Sequence, residues 1–572
     1  MKERLMLPRR TVLFALVLCT VFQSAFSTFV ELDAKTVRKF QNTLPNPLAP
    51  DMIWKESSRN NYKITVRESF QTVLGAGFPR TRIYGYANAA HPDQGPTWPA
   101  RSFVLRRNTT AYVEWLNDLV DLTGRPLPHF LPIDTSIHWA NPLKQMMNTG
   151  RYRGPIPVVP HVHGIQVEAD SDGFPEAWFT PRHNITGKAY KKRVYKYKID
   201  QEAGTPWYHD HALGLTRLNV YAGMAGFFVV RDHRDTGLPN NPLGLPAYPY
   251  EVGLVLQDRR FDTRGNLYYP SEPAAAGQPN PSITFDFVGD IICVNGKAWP
   301  VMSVERRKYR FRIINGADSR TFALKLDPPG GIHVIGVDGG FLNTRVQSAP
   351  GSEISIAPGE RLDIIIDFTQ YKMWQDVILR NVGMRPDFGT PNPDTDGLVM
   401  KFRVWIPLST NNQGNGRLLT TYRQSPYTIP RPFVTVRNLG LFESTDDYGR
   451  GRFMLGTADT ALGWDDPITE NVREGTSEVW TISSTGFMPH PIHLHLVHFV
   501  VVGRSMDGGG TYSPPPLIEQ GPKDTVVLNS GETVKIMARW PRGYTGIFVW
   551  HCHILAHEDW DMMRPYRVLP AA

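Results

Sequence analysis

His551-Cys552-His553-Ile554-Leu555-Ala556-His557, followed by Met562, gathers three imidazoles, one thiol and one thioether into twelve residues. Those donors describe a blue copper site, in which two His and one Cys hold the metal and a Met sits at a long axial distance. Such a site uses Cys552 and needs two of the His. Along an extended strand, neighbouring side chains point to opposite faces and residues two apart share a face. Cys552 is therefore expected to face one way and His551 and His553 the other. One strand would then serve two metal sites.

Three more pairs repeat the spacing: His161-Val162-His163, His209-Asp210-His211 and His493-Leu494-His495. With His551 and His553 they supply eight imidazoles, and His490 and His557 flank the later pairs. A single pair is weak evidence, because an isolated His is usually a satisfied core or surface residue. Four pairs at corresponding ends of two segments are not explained that way. A structural zinc site closes at four ligands, fewer than this set offers. Copper suits both imidazole-rich and thiolate ligation. The count fits four coppers: one on His490, Cys552, His557 and Met562, and three shared by the eight His.

The surrounding chain reads as a β protein. Its 572 residues are too many for one ordinary domain, and 48 Pro and 49 Gly favour short strands joined by turns. Apolar residues at 41% and charged residues at 20% fit a folded chain. The net charge of +8 is thinly spread, with no basic block interleaved with aromatics, which argues against nucleic-acid binding. Residues 1–27 read as an export signal: Lys2, Arg4, Arg9 and Arg10 precede an apolar run from Val12 to Phe22, and Ala25-Phe26-Ser27 offers a cleavage site. That run is short for a membrane span, and no later run reaches about 18 apolar residues, so a soluble, secreted, monomeric mature protein is expected. Twin-arginine export, ordinary secretion and an uncleaved anchor all remain open for this segment. Asn108-Thr109-Thr110 and Asn184-Ile185-Thr186 are glycosylation sequons. Of three Cys, Cys19 lies in the signal, Cys293 reads as a buried apolar residue, and Cys552 is committed to metal, so no disulfide framework is expected. Pro/Gly-rich runs at 233–251 and 407–432 suggest domains at 28–235, 236–410 and 411–572. One short helix is expected around Leu32–Gln41. The metal motifs occupy the first and third domains alone, so their cluster is expected where those two dock.

The motifs "HVHG" (161–164), "WYHDH" (207–211), "HPIHLH" (490–495) and "HCHILAHEDWDMM" (551–563) stand in the order seen in multicopper oxidases, and the resemblance runs over nearly all the mature chain. "SDGFPEAWF" (171–179), "VNGKAWP" (294–300), "KYRFRIING" (308–316) and "ERLDIIIDF" (360–368) resemble the branch of bacterial spore-coat laccases, bilirubin oxidases and plant root ferroxidases. The resemblance implies an all-β fold of three cupredoxin-like Greek-key β-sandwiches. It implies type 1 copper on His490, Cys552, His557 and Met562, and type 2 copper on His161 and His493. The type 3 pair falls to His163, His209, His211, His495, His551 and His553. It also implies electron entry at His557, conduction through Cys552, and proton delivery to O₂ by Asp172 and Glu558. Asp210, between two His, is expected to face away from them on a strand, which makes it the poorer candidate to orient their rings. Two departures are Ile165 in place of a second Gly and Ala556 where relatives often carry Glu. A laccase-like oxidase of phenols or pigments is expected. The alternative is a ferroxidase for Fe²⁺ using some of Asp286, Asp290, Asp465, Asp466, Glu558 and Asp559. A copper-binding electron-transfer protein without oxidase activity is the reading from another class.

Overall fold

The computed structural model describes residues 30–147, 150–383 and 389–571; the expected export signal falls outside them. Strands are specified by period-two burial. Thr109–Asn117 buries Ala111, Val113 and Trp115 while Tyr112 is exposed, and Phe499–Ser505 alternates in the same way. Among the described residues the strands assemble into six sheets, two from each of three successive stretches of chain. Residues 61–231 build a sheet around Asn61–Gln71 and Thr109–Asn117, and a second from Ala100–Arg106, Ala225–Arg231, Trp207–Asp210 and Pro160–His163. Residues 251–406 and 433–569 each repeat this two-sheet plan. The fold is thus mostly β, as three sandwiches.

Buried ion pairs fix how the sandwiches sit. Arg310 and Arg312 share one face of Lys308–Asn315, and with Arg231 they meet Asp235, Glu251 and Asp363 in a fully buried network joining the first and second sandwiches. Arg450 of the third donates to Asp134 (2.8 Å) and Ser136 (2.9 Å) of the first and to Ser282 (3.0 Å) of the second. Removing one partner from such a network leaves an uncompensated buried charge, typically ~3–5 kcal/mol.

The expected helix at Leu32–Gln41 is corrected to three residues of 3₁₀ helix, Ala34–Thr36, capped by Asp33. Leu32, Phe40 and Leu44 are drawn instead onto the second sandwich, where their N–H groups bond Phe261, Trp299 and Val301 carbonyls. Among the described residues two short α-helices form elsewhere, Thr216–Ala222 and Leu555–Asp559. The second carries His557. Among the described residues no helix is long and apolar enough to cross a membrane. Asn108 and Asn184 both lie exposed, and Cys293 is buried and unpaired.

Candidate metal centres

The strand Gly546–Cys552 lies between His490–Leu494 and Met563–Leu569, with Cys552 opposite Ile492 and His551 opposite His493. Alternation then divides the donors. Cys552 Sγ lies 3.7 Å from His490 Nδ1 and 3.8 Å from His557 Nδ1, so three donors converge in the core of the third sandwich. Ile554 N–H points at the sulfur from 3.4 Å. Met562 is fully buried, and its carbonyl accepts from Cys552 N at 3.0 Å. Burial pushes the Cys552 thiol well above its ordinary value. A cation bound beside it is what would hold it as thiolate.

On the other face the eight remaining His meet at the junction of the first and third sandwiches. His161 pairs in register with His209. Their strand pair faces the third sandwich so that His163 stacks on His493 at 3.6 Å and His161 on His495 at 3.9 Å. Converging donor triads are His161/His163/His209, His161/His493/His495 and His211/His495/His551. His553 joins through its ring, 5.0 Å from His163 and 5.5 Å from His209. Burial drives His161, His163, His211, His493, His495 and His553 well below the ordinary imidazole value and His209 to about 4, so these rings are neutral at pH 7.

A test of whether this set fits a metal is which ring nitrogens are satisfied. His161 Nδ1 bonds the Asp172 carbonyl (2.5 Å), His209 Nδ1 the Asp210 carbonyl (2.8 Å), His493 Nδ1 the Asp524 carbonyl (2.8 Å) and His551 Nδ1 the Cys552 carbonyl (3.0 Å). His495 Nδ1 donates to Asp172 Oδ2 (2.8 Å) and His163 Nε2 to Asp524 Oδ1 (3.0 Å). The opposite nitrogens of His161, His163, His209 and His493 have no partner, and both nitrogens of His211 and His553 are free of hydrogen bonds. A ring that donates one N–H to oxygen is fixed in the tautomer whose other nitrogen is a bare lone pair, as metal-binding His requires. Buried lone pairs without partners are otherwise costly. The residues fit copper.

Carboxylates stand behind the rings. Glu558 is fully buried, with its oxygens 3.2 Å from His211 Nδ1 and 3.1 Å from His551 Nδ1. Asp172 is likewise buried; burial raises its carboxyl to about 6, and Oδ1 makes no hydrogen bond. Asp210 does not orient the rings with its carboxylate. It turns away and accepts from Val159 N, Ala212 N and Asn219 Nδ2, holding the loop that follows the pair. Sequence reading missed Asp524 and its partner Arg361, because neither lies in a His motif.

His557 carries its remaining nitrogen, Nε2, toward Asp286 Oδ1 at 3.2 Å, yet the pair is misaligned and neither atom makes a hydrogen bond. The rings of Phe453 and Phe285 lie 4.5 and 5.7 Å from His557, and Phe487, beside both, is exposed. Of the other carboxylates considered for iron, Glu558 and Asp559 point inward, Asp559 onto Arg217. Asp465 sits beside His138 and Lys188, and Asp466 accepts from Gly463 N.

The multicopper oxidase family matches residues 441–572 and 153–235. A laccase of Bacillus subtilis (strain 168) is 39% identical over 546 residues, covering 93% of this chain and 98% of its own. Multicopper oxidase LPR1 of Arabidopsis thaliana is 30% identical, covering 86% of each chain. The crystal structure of McoA multicopper oxidase from Aquifex aeolicus superposes with a TM-score of 0.69 at 25% identity, over 93% of this chain and 99% of that one. This chain belongs to the multicopper oxidase family, copper-dependent oxidoreductases that use O₂ as electron acceptor.

Proposed function

We propose that the protein is a laccase-like oxidase: four molecules of a phenolic or pigment-type reductant each lose one electron and one proton, and one O₂ becomes two waters. The observation that carries this reading is the surroundings of His557. Its buried Nε2 faces the Asp286 carboxylate, and its ring packs against Phe285 and Phe453, which the exposed Phe487 adjoins. Aromatic rings stack on an aromatic body, and the carboxylate accepts from a hydroxyl. A ferroxidase site is less well served, because hard oxygen ligands for Fe²⁺ are represented here by Asp286 while Glu558 and Asp559 are turned away.

Copper, when bound, supplies one-electron acceptance at the Cys552 set and reduction of O₂ at the eight-His set. We assign type 1 ligation to His490, Cys552, His557 and Met562. Type 2 is assigned to His161 and His493, and type 3 to His163, His209, His211, His495, His551 and His553. The chain itself does the rest. Cys552 joins the two sets covalently, because its peptide neighbours His551 and His553 belong to the second. Burial of every ring keeps bulk water from competing for the lone pairs. Glu558, set between His211 and His551, and Asp172, hydrogen-bonded to His495, are placed to hold protons beside the site where O₂ is reduced. A single-electron-transfer protein would need the Cys552 set alone and would leave eight buried imidazoles without purpose.

We further propose export, directed by residues 1–27, and a monomeric mature protein; amino-terminal sequencing of secreted material and light scattering test these. The substrate reading is tested by kcat/KM for a phenol, bilirubin and Fe²⁺ on copper-loaded protein. The phenol or pigment should lead Fe²⁺ by tenfold or more; the reverse order would favour the ferroxidase.

A further inference from the structure

The second sandwich carries no metal motif, yet it reaches the eight-His site through the segment that begins at Gly359. We infer that Arg361 is a positioning residue for that site: it locks the Asp524 carboxylate, and Asp524 sets the orientation of His163 and His493 where the first and third sandwiches meet. This rests on the ligand assignment proposed above and adds a role for the second domain.

The geometry is specific. Arg361 Nη1 donates to Asp524 Oδ1 at 2.7 Å and Nη2 to Asp524 Oδ2, a bidentate fork, while Nε donates to the Thr205 carbonyl of the first sandwich at 3.1 Å. One guanidinium therefore touches three sandwiches. Its own backbone is pinned, with N–H donating to Asp338 Oδ1 at 2.9 Å and Nη1 reaching the Gly359 carbonyl at 2.8 Å. Asp524 then holds two rings at once, His163 through Oδ1 and His493 through its carbonyl, and those rings stack at 3.6 Å. Both Asp524 oxygens accept from the guanidinium, so toward His163 the carboxylate acts as acceptor and His163 Nε2 as donor, which leaves His163 Nδ1 bare.

Two glycines show that this contact is built for. Gly164 has φ +88°, and a Cβ there would lie 2.5 Å from Arg361 Nη2 and 2.8 Å from Asp524 Oδ2. The Gly of "HVHG" is therefore the space the ion pair occupies. Gly359 has φ +81°, and its Cβ would lie 2.6 Å from the His553 ring. His498 closes the far side, with Nε2 3.2 Å from the Gly164 carbonyl and 3.9 Å from Asp524 Oδ2. Lys cannot replace the fork, since an ammonium is a point charge without bidentate geometry.

The test uses copper-loaded Arg361→Lys, which keeps the charge, and Arg361→Gln, which removes it. Type 2 copper is followed by its paramagnetic resonance spectrum and by chelator titration, with the blue absorbance of the Cys552 set as internal control for folding. Expected are an unchanged blue band, altered type 2 hyperfine splitting, and a ~10–100-fold loss of type 2 affinity, larger for Gln than for Lys. Wild-type spectra and chelator midpoints in Arg361→Lys and in any folded Arg361→Gln would overturn the inference. Absence of a type 2 signal from the wild-type protein would instead refute the ligand assignment itself, and with it this inference.

Discussion

Replacing Asp286 by Asn removes the carboxylate beside His557 while keeping the shape of the side chain. Asp286 Oδ1 stands 3.2 Å from His557 Nε2 without hydrogen-bonding it, so the carboxylate has unused acceptor capacity beside the His557 ring. A phenolic hydroxyl beside His557 would donate to it. Hydrogen bonds to a charged partner contribute ~1.5–3 kcal/mol, and each ~1.4 kcal/mol is tenfold in rate or affinity. The expected loss in kcat/KM for a phenol such as 2,6-dimethoxyphenol is therefore about 10–150-fold. An anionic dye without a hydroxyl, such as ABTS, gains nothing from the carboxylate. Its kcat/KM should change less than threefold or rise. Steady-state kinetics on both reductants, with blue absorbance confirming equal loading, separate the two effects. If phenol and dye fall together, Asp286 serves to hold His557 in place and the reasoning about substrate recognition fails.

Two further predictions concern buried carboxylates. Glu558→Gln and Asp172→Asn, both near-isosteric, should leave the blue band intact but slow its return when reduced protein is mixed with O₂ by ~10²–10⁴-fold, the range typical of a lost proton donor; wild-type rates in both would remove these residues from proton delivery. Acid stability follows from Glu251, where burial opposes the charge but Arg231, Arg312 and Arg310 outweigh it and hold the carboxyl at about 2 against an ordinary value of 4.5. A depressed carboxyl stabilises the fold fully above pH 4.5 and loses that contribution as the pH falls toward 2, at about 1.4 kcal/mol for each pH step of one. Melting temperatures between pH 7 and 2.5 should thus drop below pH 4.5, and Glu251→Gln should melt lower at pH 7 with a shallower acid limb; an identical limb would show that the network is not the acid-labile element.

The metal-bearing strand was legible because side-chain alternation in a strand is strict. Cys552 and the pair His551/His553 could be assigned to opposite faces from spacing alone, and the register of Cys552 on Ile492 and His551 on His493 realises it. The helices were less legible for two different reasons. Around Leu32–Gln41, where a helix was expected, backbone hydrogen bonds to the second sandwich extend the chain. Thr216–Ala222 is buried on every side, so no polar face marks its period. Arg361, Asp524 and the inward turn of Glu558 and Asp559 depend on how separate sandwiches dock, and no local pattern encodes that. The position of Gly164 was visible in the sequence, but its reason was not: the space it leaves is filled by residues some 200 and 360 positions away.

The central claim is that two metal sets share the strand ending at Cys552, one made by the thiolate and one by eight His. Copper per chain, measured with blue absorbance and O₂ uptake on wild-type protein and Cys552→Ser, tests it most directly. About four coppers, a blue band and O₂ uptake are predicted for the wild type; the variant should fold, lose the blue band and about one copper, and stop consuming O₂. About one copper per wild-type chain without O₂ uptake, or a variant that stays blue, would contradict the account.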